Sequence, residues 1–223
     1  MNFNEYNCYN RYQNLDGLEA RIAQELIKSD SVYAKNFWRL LKYNDLNALS
    51  RPNLTRKERK DLVCFDSGKP TSKRVFFAPF TDDAWQEQCA SVYIYVEDII
   101  PIDHMRSKIG VTIETVVHSK IAAITGNGDP TSNVDQHANP NDSDDQGNIV
   151  VTVKNRATVL LKCLIAELNG LYLNGIGYLQ LNQQLSEKSK TSMNLWNKKS
   201  FYGHTTEFFV MMSGVSDNSE EGF

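Results

Sequence analysis

Asp142-Ser143-Asp144-Asp145-Gln146-Gly147 opens like a calcium loop, with acids at positions one and three and glycine at six. An EF-hand also needs a bidentate Glu at position twelve to complete the oxygen shell, and that position is Val153. The expected flanking helices are missing too, so the segment reads as a solvated acidic loop. Gly126-Asn127-Gly128-Asp129-Pro130 follows a strand pattern as a phosphate loop would, but it lacks the Gly-Lys-Ser/Thr end and a helix opening behind it. Gly175-Ile176-Gly177 lies between helix and strand, the reverse of the dinucleotide-binding order; both segments read as turns. His104, His118, His137 and His204 are scattered, and no Gly-x-Ser-x-Gly elbow is present. Two cationic clusters remain. Arg51, Arg56, Lys57, Arg59 and Lys60 surround Pro52 and Leu54, while Lys188, Lys190, Lys198 and Lys199 flank Trp196, Phe201 and Tyr202. Cations mixed with aromatics can hold a single strand by stacking and backbone contact. The plainer readings are a solvated helix face for the first cluster and a protein–protein contact for the second. No catalytic, cofactor-binding or metal-ligating residue is assigned.

The scaffold for these residues has 223 residues, 41% apolar and 23% charged. That composition excludes a collagen, a coiled-coil rod and a fully disordered chain, and the length suits one large domain or one with a small appendage. No run of eighteen apolar residues predicts a membrane helix. Met1 to Asp16 is rich in Asn and Tyr with no apolar core, so no signal peptide is expected. The net charge of −3 is unevenly placed. Asp129, Asp135, Asp142, Asp144 and Asp145 fall in one stretch, and Asp217, Glu220 and Glu221 in the tail, leaving 24 basic against 19 acidic residues elsewhere. A DNA-coating protein would be more basic. Cys8, Cys64, Cys89 and Cys163 are far apart with no metal-ligand spacing, which fits free thiols in a reducing setting.

Apolar periodicity divides the chain. Leu15, Leu18, Ile22, Leu26 and Ile27 form one helical stripe. Ser29-Asp30-Ser31 interrupts it and offers a cap for a second helix with Val32, Phe37, Leu40 and Leu41. Thr55 and Glu58 have capping-box spacing before a short third helix. Asp66 to Thr71 is a turn cluster, and beyond it the texture becomes β-branched and aromatic. Ser91 to Ile102 predicts a strand. Ile109 to Ile124 predicts a long second one, with Val111, Ile113, Val117, Ile121 and Ala123 on a dry parity and Thr112, Glu114, His118 and Lys120 on a wet one. Thr125 to Asn148 is too polar to offset its own ordering. Ala157, Leu160, Leu161, Leu164, Ile165 and Leu168 predict an amphipathic helix, capped by Asn155 and ended at Asn169-Gly170; Cys163 reads as packing on it. A strand over Tyr178–Leu185, a polar loop or irregular hairpin over Ser186–Ser200 and a closing strand over Thr205–Met212 complete the pattern. The expected class is α+β: a helical N-terminal region (1–66), then a core (67–212) in which a small, mostly antiparallel sheet carries one amphipathic helix and a long polar loop (125–148), then a disordered tail (213–223).

From Ile109 to Met212 this organisation resembles the neck proteins of tailed bacteriophages, the head–tail connector and tail-terminator class. The resemblance lies in the strand Gly110 to Val117, the helix from Asn155-Arg156-Ala157 to Gly170, Gly175 to Leu179, Ser192 to Asn197, and Phe201-Tyr202-Gly203 before the final apolar strand. Leu40-Leu41-Lys42-Tyr43 and the helix start at Asn53-Leu54-Thr55 also fit. It implies a virion protein, assembled in the host cytoplasm, that forms a ring of six or twelve copies around the DNA channel. Such a ring joins portal or adaptor to tail, contacts passing DNA without sequence specificity, touches no membrane, needs no cofactor and performs no covalent chemistry. The acidic stretch with Asp129, Asp135, Asp142, Asp144 and Asp145 is then a candidate channel or interface loop, repelling phosphates if it faces the lumen. Trp196, Lys198, Phe201 and Tyr202 are candidate partner contacts. Within the class, a tail terminator capping the tail tube is the alternative; outside it stand an enzyme with a site under the acidic loop and a nucleic-acid accessory protein.

Overall fold

A computed structural model of the protein describes residues 15, 17–65, 72–80, 88–102, 106–125, 153–181, 194–198 and 200–213. The channel-loop candidates Asp129, Asp135, Asp142, Asp144 and Asp145 lie outside them, as do His104 and His137. The architecture is α+β, as the sequence pattern predicts. Helices α1 (Leu18–Lys28), α2 (Val32–Lys42) and α3 (Arg56–Asp61) come first. The strands β1 (Val75–Phe76), β2 (Ala90–Pro101), β3 (Arg106–His118), β4 (Ala123–Ile124) and β5 (Lys154–Asn155) follow. Helix α4 (Arg156–Leu168) then precedes β6 (Leu171–Leu173), β7 (Gly177–Leu181), β8 (Asn194–Lys198) and β9 (Phe201–Ser213).

Local chemistry sets the helix ends. The Ser31 side chain accepts the Ala34 N–H, Thr55 and Glu58 make the full capping box, and Asn155 accepts from Ala157 and Thr158. A hydrogen bond from Lys42, then those from the backbone and hydroxyl of Thr55, hold the Glu58 carboxyl down to about 2. Past α4 the chain turns through Gly170 at φ +87°, a left-handed conformation suited to glycine.

Seven strands form one sheet in the order β1-β2-β3-β9-β7-β6, with β8 also paired to β9; β4 and β5 pair separately. The pairings are antiparallel except β1 with β2. Strand β3 is central, matched to β9 from Arg106↔Ser213 to His118↔Phe201. The helices cover one face. There Ile94, Ile109, Val111, Ile113, Val117, Phe208 and Val210 join Leu18, Ile22, Phe37, Leu40, Leu160 and Leu164 in a single core. The N-terminal helices thus share their core with the sheet. Trp38, outside the predicted stripe, is wholly buried, and its indole N–H donates to Leu26 O at 2.9 Å.

Two expectations for β3 are corrected. The strand stops at His118, where the ring Nδ1 accepts the Lys120 N–H at 3.1 Å and the Ser119 N–H donates to Ser200 O, forming a 3-10 turn over Ser119–Ile121. Its second parity is also not wet: Thr112, Val116 and His118 are buried. Aromatic rings from outside the strand cover that face, with Phe76 and Phe80 against Tyr93 and Phe201. The closing strand β9 begins at Phe201, four residues before its predicted start.

The β3–β9 contact is close at Gly203, where a Cβ would lie 1.7 Å from Thr115 O. Gly203→Ala should therefore cost about 3 kcal/mol or more and lower Tm by about 6–12 °C. Thermal unfolding followed by circular dichroism checks this; an unchanged Tm would mean that β3 and β9 are not in this contact.

Candidate functional site

Two arginines from the cationic clusters and the main helix have structural work. Arg156, the first residue of α4, is wholly buried. Its Nε donates to Ile121 O at 2.8 Å, Nη1 to Leu40 O and Tyr43 O at 2.8 and 2.6 Å, and Nη2 to Asp45 O at 2.7 Å. The guanidinium thus closes the C-terminal end of α2, where carbonyls lack intrahelical partners. Burial pushes its pKa down to about 10, and it stays charged at neutral pH. Arg59 does the same for α1, donating to Ile27 O and Ser29 O at 3.1 and 2.6 Å and to Leu54 O at 3.1 Å. Arg56 pairs with Asp30 at 3.0 Å and Arg51 with Asp45 at 2.9 Å. Of the cluster around Leu54, Lys57 and Lys60 remain as exposed cations.

The outer face of the sheet, away from the helices, is zoned along the strands. At the β3 C-terminal end lies the aromatic cover, with Phe76 and Tyr93 stacked at 5.1 Å and Phe80 edge-on to Phe201 at 5.9 Å. The middle is acidic. Glu114 accepts the Phe80 N–H at 3.1 Å, Glu97 takes the Thr112 hydroxyl, and a Cβ on Gly110 would lie 3.4 Å from Glu207 Oε1 and 3.5 Å from Asp98 Cβ. Burial, with Glu114 and Glu97 nearby, pushes the Tyr95 hydroxyl up to about 12. At the far end Lys108 stands 4.7 Å over the Phe209 ring, Met211 is exposed, and Tyr172 and Tyr178 meet at a tilt with centroids 5.0 Å apart. Tyr, Met and Phe are among the side chains that protein interfaces enrich. Sequence reasoning missed this end, because its members meet only through strand register.

The candidate partner contacts separate. Phe201 is buried in the aromatic cover, edge-on to His118 at 5.1 Å, so its ring is used within the chain. Tyr202 points to the opposite face and donates its hydroxyl to Asn155 Oδ1 at 3.3 Å, bracing the cap of α4. Trp196 and Lys198 sit on β8, paired with Gly203 and Phe201. Gly175 and Ile176 lie in the hairpin turn between β6 and β7, and Gly177 opens β7 opposite Leu173. Cys89 and Cys163 are buried. Among the described residues no group of three or more His, Cys, Asp or Glu side chains could hold a metal ion, and no helix is long and apolar enough to cross a membrane.

Removing the Arg156 guanidinium leaves four carbonyls without this donor, Leu40 O and Ile121 O in buried contacts and Tyr43 O and Asp45 O in part-buried ones. Arg156→Ala should cost about 3–5 kcal/mol. Arg156→Lys should recover less than half of that, because one ammonium cannot span the four acceptors. Urea denaturation measures both; a near-neutral Arg156→Ala would refute the clamp. A second measurement concerns His118, whose Nδ1 must stay unprotonated to accept the Lys120 N–H. Burial, and then Lys120, lower its pKa from about 6.5; burial lowers that of His204 too. The folded-state values lie below the unfolded ones, so this stability is complete above about pH 6.5 and is lost as pH falls toward the folded pKa. His118→Asn with His204→Gln should flatten the stability profile between about pH 7.5 and 5; an unaltered slope would exclude both rings. Compared with protein-family models, curated proteins and solved structures, the chain matches none of them.

Proposed function

We propose that the protein is a structural component of a tailed-phage neck, a ring-forming protein that joins portal or adaptor to tail around the DNA channel. One observation supports this beyond the resemblance of pattern. The sheet is covered by helices on one face, yet among the described residues its lateral strands are unpaired at the end where Ile99, Ile100, Met211, Tyr172 and Tyr178 are exposed. Unpaired edges and exposed aromatic side chains suit repeated contact between copies. A heterologous contact closes into a ring when its rotation divides a full turn. Within this reading, adaptor, stopper and tail terminator differ in which neighbour each end of the ring meets. The nucleic-acid reading is weakened because Arg51, Arg56 and Arg59 are already engaged within the chain.

Light scattering and electron microscopy of the purified chain, alone and mixed with portal and tail proteins, test the proposal. Annular particles of about six or twelve copies, formed alone or on a partner, are the expected result. A chain that stays monomeric in every mixture, or that turns over a small compound, would overturn it.

A further inference from the structure

One row of residues crosses the sheet from edge to edge. Register sets Ile99 beside Ile109, Ile109 beside Val210, Val210 beside Leu179, and Leu179 beside Leu171. The row begins on β2 and ends on β6, the outermost strands at this level. Strand β1 reaches β2 only at Val92 and Tyr93, and the Glu19 carboxylate takes the Val96 N–H at 3.2 Å. Beyond that point, among the described residues, no strand pairs with the free side of Ile99–Pro101 or of Leu171–Leu173. Ile99, Ile100 and Ile102 are 47, 51 and 50% exposed, and Tyr172 and Tyr178 are 55 and 58% exposed.

We propose that this open stretch of β2 takes up β6 of a second copy of the chain, joining the sheets head to tail. The inference rests on the ring reading and specifies its contact. The lengths match: β6 has three residues, and three residues of β2 lie open beyond the Val96/Asp98 register shift. The directions match as well. Successive antiparallel pairings through β3, β9 and β7 leave β2 and β6 running the same way. A copy rotated about an axis along the strands therefore presents β6 parallel to β2, the relation that β1 already has to it. Backbone chemistry selects β6 over a twofold β2–β2 pairing. Antiparallel pairing about Ile100 would set each Ile99 opposite the Pro101 of the other copy, which has no N–H to give, whereas Leu171, Tyr172 and Leu173 each carry one. The outer row Ile100, Lys108, Met211 would then continue into Tyr172 and Tyr178 of the next copy. The register shift and Pro101, which has no N–H, confine the pairing to this short stretch.

Alignment of Ile99 with Leu171 places Ile100 beside Tyr172 of the neighbour, within disulfide reach across paired strands. Ile100→Cys and Tyr172→Cys are introduced singly and together, with the unsubstituted chain as control for the native thiols. Under mild oxidation the double variant should give a ladder of dimers, trimers and higher species. Each single variant should match the control, and a mixture of the two should stop at dimers. In parallel, Tyr172→Asp should weaken assembly by at least about tenfold and leave Tm within about 2 °C, because the side chain is exposed. Ile100→Cys crosslinking by itself would mean a twofold β2 contact and overturn the inference, as would Tyr172→Asp with unchanged assembly. Annular particles from a double variant that gives no ladder would overturn the inference alone. A wild-type chain that never assembles would overturn the ring reading with it.

Discussion

The fold depends on a charge placed where charges are costly. Arg156 begins α4, and the N-terminus of a helix repels a cation. Its guanidinium instead reaches the opposite pole of a different helix, the carbonyl-rich end of α2, and also binds Ile121 O beyond the end of β3. Four carbonyls replace the water lost on burial. An aliphatic side chain there would leave those carbonyls unsatisfied, and a lysine could not span them. Arg59 repeats the solution on α1 with Ile27 O and Ser29 O. Each arginine thus fastens a helix end to a segment far along the chain, and α1, α2 and α4 are held over the sheet by polar anchors as well as by apolar packing.

That anchoring shapes the rest of the sheet. With the helices fixed on one face, the long strand β3 is buried along its whole inner side and β9 is buried there from Thr206 to Met212, and the chain has few apolar groups left for the outer one. Aromatic rings from β1, β2, β9 and the segment after β1 cover one end. Carboxylates occupy the middle, where Glu114 and Glu97 find donors in Phe80 N and the Thr112 hydroxyl. The remaining end keeps its tyrosines, methionine and isoleucines in solvent. The exposed band is therefore the part of the outer face that neither the aromatic cover nor the hydrogen-bonded carboxylates occupy.

What could be read from the letters was local. Ser31, Thr55 with Glu58, Asn155 and Gly170 all act within a few residues of themselves, and each end was legible from spacing alone. The α4 stripe was legible for the same reason. The arginine anchors were not, since Arg156 meets carbonyls 35 to 116 positions away and nothing beside it in the chain marks it as buried. The wet parity assigned to β3 failed likewise: Thr112 and His118 are polar, but they lie on a face whose cover comes from other strands and from the segment after β1. Phe201 looked like a free aromatic among lysines because the ring it packs on, Phe80, is remote in sequence. The exposed band was the least legible feature, because Ile100, Tyr172, Tyr178 and Met211 become neighbours only after four strand pairings are known.

A ring places a further demand on these anchors. If copies join edge to edge, the angle between the β2 and β6 edges of each copy is repeated at every contact, and the circle closes only when those angles sum to a full turn. Any looseness within one copy is multiplied by the number of copies. Between the two edges lie β3, β9 and β7, and a sheet by itself twists readily. Helix α4 crosses this region, packing on β3, β7 and β9. It is fixed at its start by Arg156 and braced there by Tyr202 against the Asn155 cap. Near its end Glu167 accepts from the hydroxyls of Ser29 and Ser31, at the junction of α1 and α2. A helix tied at both ends across the middle of the sheet resists the twisting that would alter the angle between the edges. The buried charge that begins α4 and the apolar edge that would receive a neighbour are thus mechanically linked, although no side chain passes from one to the other.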